Sequence, residues 1–215
     1  MIKNVCVFAS SSNKLDEEFY SDASELGQLL GAHGMNIVYG GSRLGAMYAC
    51  ASSVGNAGGN IIGVMPQRLY DLGVGNPEDC SEFYLTEGMR ERKAKMDELS
   101  DAVIALAGGF GTLEEISEMI VQKQLGYNIK PIVLLNTNNF YGNLINFFQD
   151  IIDNNFAKKE TENLYYVANS PAEAVNYLMN YKASEICYSG KFIYNLLFKT
   201  ACTAACTLLC TPNLR

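Results

Sequence analysis

The chain has 215 residues, 48% of them apolar and 18% charged, and carries a net charge of −7. That length builds one domain with a sizeable core, and the composition is that of a soluble globular protein. An acidic chain with no basic tract is not organised to grip nucleic acid or an anionic membrane surface, whereas a small anionic ligand needs only a local positive site.

The chain has seven cysteines: Cys6, Cys50, Cys80, Cys187, Cys202, Cys206 and Cys210. The odd number and the crowding of three near the C-terminus do not fit a secreted disulfide framework, so a reducing cytoplasm is the expected compartment. Cys202, Cys206 and Cys210 have helical spacing but no fourth ligand beside them. They are expected to pack as small apolar residues, and no metal site is expected. Met1–Asn4 runs straight into a strand, with no charged-then-apolar leader.

Asn4–Ala9 reads as the first strand and ends in Ser10, Ser11, Ser12 and Asn13. Small polar residues at that end of a strand suit either a ligand edge or a plain strand-to-helix turn. Glu17–His33 carries helical spacing at Phe19, Ala23, Leu26, Leu29 and Leu30. His33 is the one histidine. It falls at a helix end before Gly34, which leaves no basis for a Ser-His-Asp or Cys-His arrangement.

Asn36–Tyr39 is the second strand and runs into GGSRLGAM, Gly40–Met47. A dinucleotide fingerprint would need glycine at Ser42, so no nicotinamide cofactor is expected. Asn60–Val64 is the third strand, closed by Pro66. Gln67–Ser81 reads as a long connection rich in Gly, Asp and Asn. Glu82–Leu85 is a short strand.

In MRERKAKMDELSDA, Met89–Ala102, helical spacing puts Met89, Arg92, Lys93 and Met96 on one broad face. Arg92 thus stands among apolar anchors, while Arg90, Glu91, Lys95 and Asp97 look like an exposed charged surface.

Ala102–Leu106 is a continuous apolar run suited to a strand buried on both faces. Gly108, Gly109 and Gly111 follow, and Thr112 opens a helix carrying Leu113, Ile116 and Ile120 on one face. A glycine turn feeding a helix start presents free N–H groups at the positive end of the helix dipole, a phosphate site. The spacing is not the loop of nucleoside triphosphatases, since no lysine follows. Thr112-Leu113-Glu114-Glu115 also fits a capping box, with Thr112 as cap and Glu115 reaching back. Capping and catalysis both stand open for Glu115.

The helix continues to Leu125. Ile132–Leu135 is a further buried strand, Phe140–Asn154 an amphipathic helix, Leu164–Val167 a strand and Pro171–Tyr181 a closing helix with proline in its first turn. Strands alternate with helices throughout. The expected fold is α/β, Rossmann-like and doubly wound, with a mainly parallel sheet and helices on both faces.

ALAGGFGTLEE, Ala105–Glu115, resembles the PGGxGTxxE signature of the LOG ("lonely guy") family, with Ala107 where the family has proline. GGSRLGAM is similar to the family's GGGxxGxMG motif. Gly40, Gly41, Gly45 and Met47 match, while Ser42 and Tyr48 replace two glycines. Met89–Met96 resembles M-H-x-R-K-x-x-M, with Arg90 in place of histidine. The interval from Arg92 to Glu115 matches the family's catalytic pair, and QLG at Gln124–Gly126 with Pro131 is similar to a further family run. The resemblance covers roughly residues 2–182.

It implies a phosphoribohydrolase that cleaves the N-glycosidic bond of a nucleoside 5′-monophosphate, such as a cytokinin riboside 5′-monophosphate or AMP, without a cofactor. Arg92 and Glu115 would be catalytic. Ser10, Gly41, Ser42, Met89, Lys93, Gly108, Gly109, Gly111 and Thr112 would bind substrate. It also implies a homodimer or larger homo-oligomer. The alternative is a non-catalytic nucleotide sensor or carrier on the same fold. Proteins of this pattern have also been labelled lysine decarboxylases, but nothing in the chain marks a lysine for a Schiff base.

Residues 1–182 are expected to form the nucleotide-binding domain and 183–215 a C-terminal extension. Phe192–Cys210 is apolar but weakly so for a membrane span, with Asn195, Lys199 and several threonines. It is expected to pack on the domain or on a partner subunit.

Overall fold

A computed structural model describes residues 2–183. The readings placed on 184–215, including the cysteines at 187, 202, 206 and 210 and the segment 192–210, lie outside the described residues. Seven strands are present: β1 (Asn4–Phe8), β2 (Asn36–Tyr39), β3 (Ile61–Pro66), β4 (Glu82–Thr86), β5 (Ala102–Ala105), β6 (Ile132–Leu135) and β7 (Tyr166–Ala168). They form one sheet in the order β4-β3-β2-β1-β5-β6-β7. Every strand pairing is parallel.

The helices are α1 (Glu17–Ala32), α2 (Gly45–Asn56), α3 (Gln67–Asp71), α4 (Met89–Glu98), α5 (Phe110–Gln124), α6 (Gly142–Asp153) and α7 (Pro171–Asn180). Alternation along β1 shows how the two layers arise. Val5 and Val7 point to the face covered by α1, α2 and α7, where Leu26, Leu30, Cys50, Val54 and Leu178 pack. Cys6 and Phe8 point to the other face, under Met96 of α4, Ile116 and Met119 of α5 and Phe148 of α6. The central strands are apolar on both sides because both sides are covered. Among the described residues, no helix is long and apolar enough to cross a membrane.

Two expectations need correction. The connection Gln67–Ser81 is not structureless: it holds α3 and a 3₁₀ turn at Pro77–Asp79. Neither buries a residue, so neither leaves an apolar period in the sequence. Helices α1, α4, α5, α6 and α7 stop one to four residues short of the predicted ends, where fraying is normal.

Candidate active site

Strand order reverses at β1, with β2 on one side and β5 on the other. In open α/β sheets the crevice at the C-terminal ends of such strands is the ligand edge. The turn after β5 and the loops after β1, β2 and β3 meet there.

The turn after β5 starts α5 earlier than the sequence implied. Gly109, extended at φ −87° and ψ −158°, is the N-cap, and no side chain caps this end. The helix opens at Phe110, and Thr112 sits in its first turn. The capping box is therefore not made, and Glu115 lies inside the helix. The amides of Phe110, Gly111 and Thr112 have no intrahelical acceptors by position, and they face the positive end of the dipole.

Gly108 has a steric reason to be glycine. A Cβ there would stand 2.2 Å from Thr112 Oγ1, so the threonine could not fold back over the turn. Gly109 and Gly111 have the opposite surroundings. A Cβ on either meets nothing within 4 Å, so open space lies in front of both.

Arg92 reaches this turn from α4. Its Nε donates to Val64 O at the end of β3, 3.2 Å away. Its Nη1 donates to Glu115 Oε1 at 2.6 Å. Both side chains are only 8% exposed. Among the described residues Nη2 has no acceptor and Glu115 Oε2 no donor. Gly40 makes room for the guanidinium, since a Cβ there would lie 2.5 Å from Nη2. Burial pushes the Glu115 carboxyl above its ordinary value of 4.5, and the charge and hydrogen bond of Arg92 only partly offset this. The same burial raises the Cys6 thiol beneath the pair, with the Glu115 charge adding to it.

The other predicted site residues divide. Ser42 is buried, and among the described residues its Oγ has no hydrogen-bond partner. Its backbone bridges Gly75 in the connection after α3. Gly41 accepts from Asn76 N at 2.8 Å through its carbonyl and thereby anchors that connection. Ser10 is engaged locally: its Oγ accepts from Ser12 N at 3.1 Å and its carbonyl from Met47 N at 3.1 Å. Asn13 Oδ1 accepts from Gly45 N at 2.9 Å, so two first-turn amides of α2 are committed within the protein. Met89 is 49% exposed at the start of α4, off the buried face it was assigned to.

Lys93 is engaged within the protein. It forms ion pairs with Glu114 and with Glu118, the latter at 2.5 Å, which tie α4 to α5. It is thus committed to carboxylates and is not a free amine.

Two contributors escaped the sequence. Gly40 matched a motif, but its contact with Arg92 depends on a helix some fifty residues on. Asn76 is 1% exposed, holds Asp79 through Nδ2 at 2.8 Å, and among the described residues leaves its Oδ1 without a partner. Only the Asn-Pro dipeptide hinted at a turn there. Tyr48, where a small residue was expected, points outward and donates to Asp79 Oδ2 at 2.6 Å. Among the described residues no cluster of three or more His, Cys, Asp or Glu could hold a metal.

An all-parallel Rossmann-like sheet, an uncapped glycine turn and a buried guanidinium–carboxylate pair at the strand switch point define a ligand-binding α/β protein. The family follows from comparison with known proteins. A family model described as "Possible lysine decarboxylase" matches residues 47–178. A cytokinin riboside 5′-monophosphate phosphoribohydrolase of Arabidopsis thaliana is 38% identical over 180 residues, 84% of this chain and 78% of that protein. The corresponding enzyme of Oryza sativa subsp. japonica is 35% identical over 179 residues, 83% of this chain and 74% of its own. The chain belongs to this LOG family.

Among solved structures, a structural-genomics X-ray structure covers 83% of this chain and 99% of its own, with a TM-score of 0.65 and 25% identity. The molybdenum cofactor carrier protein of Chlamydomonas reinhardtii shares the fold at 22% identity and a TM-score of 0.62, covering 83% of this chain and 97% of its own.

Proposed function

We propose that this protein hydrolyses the N-glycosidic bond of a nucleoside 5′-monophosphate, releasing the free base and ribose 5-phosphate. The observation that carries this is the buried Arg92–Glu115 pair beside an uncapped helix start with open space before it. The printed names of the curated relatives support the same reaction and a cytokinin riboside 5′-monophosphate as substrate.

The 5′-phosphate sits on the amides of Gly111 and Thr112, with Gly109 leaving it room. Arg92 Nη2, the unused arm of the guanidinium, takes a ribose or phosphate oxygen. The sugar develops oxocarbenium character as the C1′–N bond breaks. Glu115, ionised, stabilises that charge or accepts the proton of the attacking water as the O–C1′ bond forms, and the base leaves with a proton. Arg92 holds the carboxylate in place and partly offsets the effect of its burial. Ser42, with its unpartnered hydroxyl, is the remaining polar contact for the nucleotide.

Residues 1–182 are the catalytic unit in this reading, and the working form is a homodimer or larger. Exposed apolar side chains on α4 and α5 support the assembly: Met89, Phe110 at 93% exposure, and Val121. A reducing cytoplasm fits the free thiols Cys6, Cys50 and Cys80.

The test is incubation of the purified protein with adenosine, cytidine and isopentenyladenosine monophosphates, with released base and ribose 5-phosphate as products. Release from at least one of them is expected. Absence of both products from all three would overturn the proposal and favour the carrier reading.

A further inference from the structure

A second cavity lies at the opposite end of α5, beside edge strand β7. Its volume is about 580 Å³, within the range of small-molecule sites. Lys123, Tyr166, Tyr177, Tyr181, Glu173 and Asn176 are among the residues that line it. Lys123 stands thirteen positions along α5 from Phe110, roughly 20 Å from the nucleotide turn at the helical rise.

Lys123 is unusual for a lysine. The residue is 5% exposed, yet among the described residues no carboxylate or carbonyl accepts from its ammonium. Nζ lies over the face of Tyr181, 5.3 Å from the ring centroid. Tyr181 is itself held by its hydroxyl, which donates to Ile129 O at 2.8 Å. Buried cations are normally paired, because an ammonium out of water loses hydration that a ring face only partly replaces. Consistent with that, burial pulls the Lys123 pKa down to about 8.

The rest of the wall is part aromatic and part polar, with Asn163, Asn180 and Lys182 beside the three tyrosines. Tyr166 and Tyr177 stack with centroids 4.2 Å apart and planes 4° from parallel. Glu173, the carboxylate in the wall, is already satisfied: Tyr166 Oη donates to Oε1 at 2.5 Å and Asn169 N to Oε2 at 2.8 Å. Glu173 therefore does not neutralise Lys123, but its charge disfavours a dianion in the same cavity.

We propose that this cavity is a second ligand site, which takes a small planar monoanion, an aromatic carboxylate, with its carboxylate on the Lys123 ammonium and its ring against the tyrosines. The site is independent of the nucleotide turn and of the reaction proposed for it.

The probe is benzoate, titrated calorimetrically into the full chain, with benzamide and acetate as controls for charge and for ring. Saturable benzoate binding is expected, at least tenfold tighter than either control. Lys123→Met, which keeps the side-chain volume and removes the buried charge, should fold with a Tm at or above the parent's and weaken benzoate at least tenfold. Asn176→Asp, on the exposed face of α7, adds a negative charge at the mouth and should also weaken benzoate. Binding should persist unchanged in Glu115→Gln. Failure of benzoate to bind, benzamide binding equally well, parent affinity in Lys123→Met or Asn176→Asp, or loss of binding in Glu115→Gln would each overturn the proposal.

Discussion

Gly40→Ala tests whether the placement of Arg92, and not merely its presence, carries the chemistry. The new Cβ would sit 2.5 Å from Arg92 Nη2 and 3.0 Å from Met47 Sδ, where ordinary contact begins at 3.4 Å. The guanidinium must therefore withdraw by roughly 1 Å, and it cannot do so freely. Nε is tied to Val64 O at 3.2 Å and Nη1 to Glu115 Oε1 at 2.6 Å. At least one bond has to lengthen past hydrogen-bonding range.

A misplacement of about 1 Å in a positioned catalytic group costs on the order of 10²-fold, or about 2.7 kcal/mol of transition-state stabilisation. The effect on folding should be smaller. The pair is displaced, not deleted, so about 1–2 kcal/mol is expected instead of the roughly 3–5 kcal/mol for removing one partner of a buried pair. The assay is steady-state base release from the best monophosphate, beside thermal denaturation of parent and variant. Parent kcat/KM in a folded Gly40→Ala protein would refute the reasoning, because it would mean that the guanidinium can move without consequence.

Glu115→Gln should fold and still bind nucleotide while turnover falls about 10²- to 10⁴-fold, the usual contribution of a positioned acid–base group, in single-turnover assays. Because burial raises the Glu115 pKa above 4.5, the acid limb of the parent's kcat/KM profile should lie above that value and vanish in the variant. The same raised pKa makes the carboxyl's contribution to stability greatest at low pH, and it is lost as pH rises from 4.5 through the folded value; urea titrations should show this slope in the parent and not in Glu115→Gln. Gly109→Ala places its methyl in open space at an ordinary backbone conformation, so stability should stay within about 0.5 kcal/mol while KM rises at least tenfold; an unchanged KM would remove the phosphate from this turn. Lys93→Met should lower stability by about 1 kcal/mol through the lost ties to Glu114 and Glu118 and leave kcat/KM within a few fold. A large kinetic defect there would return Lys93 to the substrate.

The sheet was legible because its strands are short apolar runs closed by glycine, serine or proline, and β2 and β6 match their predicted bounds residue for residue. The Thr112–Glu115 capping pattern misled for a specific reason. Gly109 takes the extended cap conformation three residues before Thr112, the expected cap, which moves Glu115 past the first turn. There its carboxylate is drawn to Arg92. Spacing alone could not reveal that pair, since the two residues come from different helices, one before and one after β5 in the chain; the family resemblance supplied it. The ion pairs of Lys93 were not legible because a lysine beside an arginine gives no local sign of which face it takes. Its partners, Glu114 and Glu118, sit one helical turn apart on α5 and meet it only after α4 and α5 dock. Asn76 was invisible because its burial depends on a backbone bond to Gly41, not on any pattern in its own segment.

The two helices that start over the switch point are not equivalent. At α2 the amides of Gly45 and Met47 are already spent on Asn13 and Ser10, while α5 begins with its donors unclaimed. In the proposed reading, the crevice thus offers one berth for an anion and not a pair. A ligand with a single terminal phosphate can be fully served, whereas a pyrophosphate-linked dinucleotide would bring a second charge to a helix end with two of its hands already full. In the proposed reading, selection by the number of phosphates therefore depends on the internal bonding of the loop after β1, well away from Glu115.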